Sequence, residues 1–207
     1  LLALVLVTDE EDCSAREPRI FTPNQLLDPL DPLYRQDLNL RCFYNDASLF
    51  PIARYVAGLQ EVRPPDSNLV LFAAIVGVPP ELVDDTARAG VDFSDATMRD
   101  AYYDGVLAAP AMQPVLDPSA VVGNGNLLPS CDTTNGLAYP PRRIVEVAKG
   151  FGPNAVVQSI CQESFAPALT LIAERISQGL TVGCLDDPFA RDAEGLIACD
   201  VMWELPP

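Results

Sequence analysis

Histidine is absent from the 207 residues of this chain. Without an imidazole there is no Ser-His-Asp or Cys-His nucleophile system and no His-based proton shuttle. The imidazole sites on which most catalytic zinc enzymes depend are excluded too. Basic residues are scarce: 13 Lys and Arg stand against 29 Asp and Glu, giving a formal net charge of -16 and an isoelectric point near 4.1. Such a surface repels phosphate backbones and anionic lipid headgroups, which argues against nucleic acid and membrane insertion. No apolar run approaches the roughly 20 residues that span a bilayer, and no internal repeat is visible. No cysteine pair has the C-x-x-C spacing of a zinc knuckle or a thioredoxin-like redox pair. The chemistry that remains is that of carboxylates, hydroxyls and thiols.

What is present is a globular composition, 49% hydrophobic and 20% charged, long enough for one full domain and its core. Six cysteines stand at 13, 42, 131, 161, 184 and 199. Their even number and wide separation favour a disulfide framework, hence an oxidising compartment: periplasm, cell surface or medium. Local closure pairs Cys13 with Cys42, Cys131 with Cys161 and Cys184 with Cys199. The alternative is six buried, reduced thiols acting as small hydrophobes.

Residues 1–7, Leu-Leu-Ala-Leu-Val-Leu-Val, have the apolarity of a secretion-signal core. However, Thr8-Asp9-Glu10-Glu11-Asp12 follows at once, with no cleavage pattern and no basic segment ahead. The run reads better as a strand buried on both faces, as in parallel sheets. A terminal strand of this kind leaves an unprotected edge, so the sequence predicts a preceding partner strand and a chain that is a fragment. Residues 68–78 and 154–160 read as two further strands, the latter nearer a sheet edge.

Helices are expected between and after these strands. One covers about 48–60, with Leu49, Ile52, Val56 and Leu59 on one face, Pro51 in its first turn and Asp46 or Ser48 as cap. A second covers Pro141–Lys149, stopped by Gly150. A third runs from a Ser164 cap to about 178, with Phe165, Leu169, Ile172 and Ile176 along its stripe. Strand–helix alternation predicts an α/β domain of three layers around a mainly parallel sheet. Residues 14–45 read as a Pro- and Asp-rich connection, mostly loop. Residues 79–139 read as a long loop-rich insertion holding one helix near 94–107, capped by Ser94 and packing Met98, Ala101, Tyr102 and Val106. The domain spans 1–180, and 181–207 forms a disulfide-closed tail or the start of an extension, ending in a strand-like 196–203.

Asp9 ends the first strand, and Glu10, Glu11 and Asp12 follow. Ligands of open α/β sheets bind beyond the carboxyl ends of the strands, and clustered carboxylates there suit Mg²⁺ or Ca²⁺, which take oxygen ligands. Asp9, Glu11 and Asp12 are therefore the candidate metal ligands; the alternative is a solvated acidic turn. Gly123-Asn124-Gly125 is a turn rather than a phosphate loop. Arg142-Arg143 has the makings of an anion clamp or a solvated helix face, and Asp186, Asp187 and Asp192 lack the spacing of an EF-hand loop. Tyr102, Tyr103 and Trp203 are candidate interface anchors or packing residues.

The apolar strand closing in Val7-Thr8-Asp9 resembles the fourth strand of a von Willebrand factor type A domain. The series Val7-Thr-Asp-Glu-Glu-Asp-Cys-Ser14, Leu38-Asn-Leu-Arg-Cys42, Arg54-Tyr-Val56, Phe72-Ala-Ala-Ile-Val-Gly77, Tyr139-Pro-Pro-Arg-Arg-Ile-Val-Glu146 and Val157-Gln-Ser-Ile-Cys161 is similar to extracytoplasmic type A-like proteins of bacteria, often lipoproteins. The resemblance implies the 4-5-6 half of a doubly wound sheet. It also implies a divalent cation at a metal-ion-dependent adhesion site, to which Asp9 is the one ligand carried over. Glu10 stands where the family has Gly, and no Asp-x-Ser-x-Ser is present. The function expected is a non-enzymatic, secreted or surface binding and adhesion module for a protein, matrix or cell-surface ligand. The alternatives are a secreted carboxylate-dependent hydrolase, built on Asp9 with Glu11 or Asp12, and a structural envelope protein with a degenerate site.

Overall fold

The three apolar runs become the strands of one parallel sheet. The computed structural model describes residues 1–63, 69–121, 124–134 and 136–181. The first run forms β1 (Leu2–Val7), and the connection after it carries short 3-10 turns and a single helical turn, α1 (Arg41–Tyr44). Helix α2 (Ile52–Gln60) then leads to β2 (Val70–Val76). The insertion holds α3 (Asp85–Arg88), α4 (Ala96–Ala108) and a small hairpin of β3 (Cys131–Thr133) and β4 (Gly136–Ala138). Helix α5 (Arg142–Phe151), β5 (Ala155–Ser159) and α6 (Ala166–Thr181) complete the described chain.

Strand β2 lies between β1 and β5 and is parallel to both, with Leu4 opposite Phe72 and Phe72 opposite Ala155. All seven of its residues are buried, as a strand covered on both faces requires. Its side chains alternate between two cores. Phe72, Ala74 and Val76 join Val145, Ala148 and Phe151 of α5, with Ile52, Val56 and Leu59 of α2 packed against them. Ala73 and Ile75 face the other way, onto Ala168 and Ile172 of α6. Each fully buried Val, Leu, Ile or Phe contributes on the order of 1.5–3 kcal/mol, so both helical layers are needed to hold this strand. The class is the expected one: α/β, with helices on both faces of a small parallel sheet.

Several details differ from the sequence reading. β1 is not buried on both faces: Leu4, Val5, Leu6 and Val7 are exposed, and among the described residues β1 is paired by β2 along one edge. Helix α2 starts later than expected and takes Pro51 as its N-cap without a side-chain bond; Asp46 and Ser48 lie in a separate 3-10 turn before it. Helix α4 is capped by Asp95, which accepts from Met98 N–H, while the Ser94 hydroxyl donates to Asp92. Its buried residues are Tyr103 and Val106, and Met98 is exposed.

Helix α5 runs through Gly150 and stops at Gly152, whose φ of +63° suits glycine. Gly150 serves packing instead. A Cβ there would sit 2.7 Å from Val56 Cγ2, so its bareness lets α5 approach α2. On α6, Ala168 and Ile172 are buried while Leu169 is exposed, as is Phe165 just ahead of the helix. The insertion is no mere loop, since Tyr103, Val106 and Met112 belong to the larger core.

The connection over 14–45 is likewise ordered, by a buried cation. Arg41 is 1% exposed, and its guanidinium donates to the carbonyls of Ile20 and Thr22 and to Asn24 Oδ1. Disulfides Cys13–Cys42 and Cys131–Cys161 are present, with Cα atoms 5.6 and 6.3 Å apart. Cys184, Cys199, the acidic residues Asp186, Asp187 and Asp192, the 196–203 strand and Trp203 lie outside the described residues.

Candidate functional site

The acidic turn leaves β1 at the carboxyl end of the sheet and docks against the start of α5. Asp9 is exposed, and its carbonyl accepts the Tyr139 N–H at 2.8 Å. Glu10 is exposed as well, and burial together with the Asp9 charge pushes its carboxyl above the ordinary range. The next two carboxylates turn inward. Glu11 Oε2 accepts the Arg143 N–H at 2.8 Å, while Oε1 accepts the Asp12 N–H at 2.8 Å.

Helix α5 has no side-chain cap of its own, its N-cap being Pro141. Glu11 supplies the missing acceptor from 132 residues away, at the end of the helix where negative charge is favoured. Burial pushes the Glu11 carboxyl up to about 7, against the opposing pull of the two amides and the Arg143 charge. A carboxyl titrating there has a pKa suited to proton transfer. Yet each of its oxygens is spent on a backbone amide, which is the arrangement of a clasp.

Asp12 completes that clasp. Its Oδ2 lies 3.0 Å from both Nε and Nη2 of Arg143, and its Oδ1 accepts from the Ser14 N–H and hydroxyl. Arg143 Nη2 also donates to the Phe50 carbonyl at 2.6 Å, which ties the segment before α2 to the same point. Arg142 turns the other way and donates to the carbonyls of Leu107 and Met112, anchoring the end of α4. Neither arginine is an idle anion clamp; both are bonded within the fold.

Two cavities meet at this turn, and Glu11 and Arg143 line both. One, of about 450 Å³, opens between the acidic turn, the 14–45 connection and the insertion, lined also by Asn39, Asp46, Asn126, Tyr139 and Glu146. The other, of about 390 Å³, lies beside β1 and is mostly apolar, with Leu4, Leu6, Leu59, Phe72 and Ile144 in its walls. The Cys13–Cys42 disulfide pins the connection to the turn between them.

Of the three sequence-predicted metal ligands, Asp9 therefore remains open at the rim, whereas Glu11 and Asp12 are engaged by Arg143. Among the described residues no group of three Cys, Asp or Glu side chains is placed to hold a metal ion. These residues thus offer Asp9 and its neighbour Glu10 as free carboxylates, which is part of a coordination shell and not a whole one. The sequence offered Arg143 as an anion clamp without identifying Asp12 as its anion, and it did not reveal Tyr139 and Phe50 as members of the site. The one available signal was charge, two arginines opening a helix in a chain with few cations. No family model, no curated protein and no solved structure matches this chain.

Proposed function

We propose that this chain is a non-catalytic binding module of an extracytoplasmic bacterial protein, similar to the type A-like adhesion domains. It engages a protein or cell-surface ligand at the carboxyl end of its parallel sheet. The observation that carries the reading is the exposed Asp9, held at the end of β1 on a rim fixed by the Glu11 and Asp12 clasp and by the Cys13–Cys42 disulfide. Binding loops carried on a rigid scaffold are the usual way that folds of this kind present a recognition surface. The 450 Å³ cleft lined by Glu10, Glu11 and Asp12 is walled on another side by the insertion, which supplies the specificity.

Two disulfides and the strongly acidic surface support an oxidising, extracytoplasmic setting. Asp9 is the protein carboxylate offered to Mg²⁺ or Ca²⁺, with further oxygen ligands contributed from beyond the described residues. A bound cation supplies fixed positive charge at an otherwise acidic rim. Calorimetric titration of the protein with Mg²⁺ and with Ca²⁺ tests this. Binding is expected in the wild type and lost in Asp9→Ala; equal affinity in the two proteins removes Asp9 from any cation site.

A further inference from the structure

The insertion carries an Asn-Gly step, Asn124-Gly125, that takes no part in the acidic rim. This dipeptide has a reactivity of its own. The main-chain nitrogen of the glycine attacks the amide carbon of the asparagine side chain, forming a C–N bond and expelling ammonia. Water then opens the five-membered imide at either carbonyl and leaves aspartate or isoaspartate. Glycine permits the attack because it has no Cβ to hinder rotation of the intervening peptide. Two requirements govern the rate. The nitrogen must lose its proton, and its peptide plane must turn toward the side chain.

The fold opposes both at Gly125. Its N–H donates to Asp37 Oδ2 at 2.8 Å, across 88 residues of sequence. A full negative charge so close disfavours the anion that the nitrogen must become. Gly125 is also buried, and a Cβ there would stand 2.5 Å from Asp37 Oδ2 and 2.6 Å from Leu40 Cδ1. The main chain therefore lies against both side chains with no room to swing. On either side of it, the Asn124 N–H bonds to the Val121 carbonyl and the Asn126 carbonyl accepts the Asp117 N–H. Asn124 itself is exposed, so water reaches its side chain. The other Asn-Gly step, Asn135-Gly136, offers a contrast: Gly136 is exposed, and a Cβ there would meet nothing within 4 Å.

We propose that Asn124 is a deamidation site kept in its amide form by Asp37, and that its conversion unhooks the insertion from the 14–45 connection. Either product sets a second carboxylate beside the peptide group that Asp37 grips, and like charges there repel. Isoaspartate also routes the main chain through an extra methylene, which moves the Gly125 N–H off its acceptor. The junction so loosened walls the 450 Å³ cleft, to which the connection contributes Asn39 and the insertion Asn126 and Leu127. This chemistry consumes only water and needs neither a metal nor a partner, so it holds or fails independently of the binding-module reading.

The test ages the folded wild type, Asp37→Ala and Asp37→Asn in mildly alkaline buffer and follows conversion at Asn124 and Asn135 by peptide mapping with mass spectrometry. Asp37→Ala is expected to raise the rate at Asn124 at least ~10-fold, the factor that one hydrogen bond to a charged group represents. The rate at Asn135 stays unchanged. Asp37→Asn keeps an acceptor oxygen without the charge, and its rate at Asn124 falls between the two. Should Asp37→Ala fail to fold, the wild type alone carries the test, because unfolding it in guanidinium then speeds Asn124 more than Asn135. Asn124→Asp stands in for one product, and its Gly125 amide is expected to exchange with deuterium at least ~10-fold faster than in the wild type. An Asn124 rate that is equal in wild type and Asp37→Ala overturns the guarding role, and so does a slower rate in the variant, since the carboxylate is then the base. Equal acceleration at both asparagines overturns it as well, by tracing the effect to general unfolding. Unchanged Gly125 exchange in Asn124→Asp overturns the unhooking.

Discussion

Removing the Arg143 guanidinium is the most direct perturbation of the rim, and Arg143→Met does so while keeping an apolar stem against α5. Three interactions end in that guanidinium: two to Asp12 Oδ2 at 3.0 Å and one to the Phe50 carbonyl at 2.6 Å. The side chains of Arg143 and Asp12 are 18% and 23% exposed, so water screens the pair only in part. Breaking a fully buried pair by removing one partner costs about 3–5 kcal/mol, because the other charge is left uncompensated. Partial exposure and the bonds that Asp12 keeps with Ser14 lower the expected loss to about 2–3 kcal/mol. The Glu11 bond to the Arg143 N–H is a main-chain contact and survives the substitution, so α5 keeps its cap. Urea unfolding of the wild type, Arg143→Met, Asp12→Ala and the double variant gives the coupling between the two residues, expected at about 1–2 kcal/mol. A coupling near zero, or a loss from Arg143→Met below about 0.5 kcal/mol, the range of ordinary surface changes, refutes the clasp.

Other expected outcomes concern the same end of the sheet. The Glu11 carboxyl titrates near 7 when folded and from its ordinary value of 4.5 when unfolded, so the folded state holds that proton more tightly. Its contribution to stability is complete below about pH 4.5 and falls by at most about 3 kcal/mol as pH rises through 7; the difference between wild type and Glu11→Ala in urea midpoint across that window measures it, and parallel curves contradict it. At Gly77 a Cβ would stand 2.4 Å from the Tyr139 carbonyl oxygen and 2.8 Å from Ala138 Cβ. Gly77→Ala is expected to cost about 2 kcal/mol or more by overpacking the end of β2, seen as a lowered thermal midpoint. Replacing Cys131 and Cys161 together by alanine removes a link between residues 30 apart in sequence, for an expected loss of about 3–4 kcal/mol in the same assay. An unchanged midpoint in either variant overturns the corresponding argument.

The strands were legible because burial on both sides leaves a mark that survives without any alignment. Residues 70–76 and 155–159 are short apolar runs bounded by turn residues, and each forms the strand that its composition indicates. The opening run misled in one respect. Apolarity on both faces says what a strand is built to touch, but the described residues cover one edge of β1 and leave Val5 and Val7 exposed. Helix positions were legible, whereas helix ends and some packing faces were not: Met98 of α4 and Leu169 of α6 are exposed. Whether Ser94 or Asp95 caps α4 depends on which side chain meets the first free amides, a matter of one residue's dihedrals. The Gly150 stop failed for a different reason: a glycine inside a helix reads as a terminator, whereas here it answers a tertiary need, the close approach of Val56.

The acidic turn shows where such reading reaches its limit. Carboxylates gathered at the end of a strand and turned inward require positive charge or donors, and sequence can state that requirement without naming what meets it. A divalent cation, a guanidinium and a helix N-terminus are electrostatically similar answers. In this fold Arg143 provides the second and α5 the third, from positions 131 and 132 residues away along the chain. No local spacing rule connects Glu11 and Asp12 to that helix; only the parallel crossover that returns α5 to the end of β1 does. What the clasp leaves unsatisfied is then informative. With Glu11 and Asp12 engaged, the unpaired negative charge of the turn lies at Asp9 and Glu10, both exposed at the rim, and a cation or a basic ligand meeting this rim must meet those two residues first.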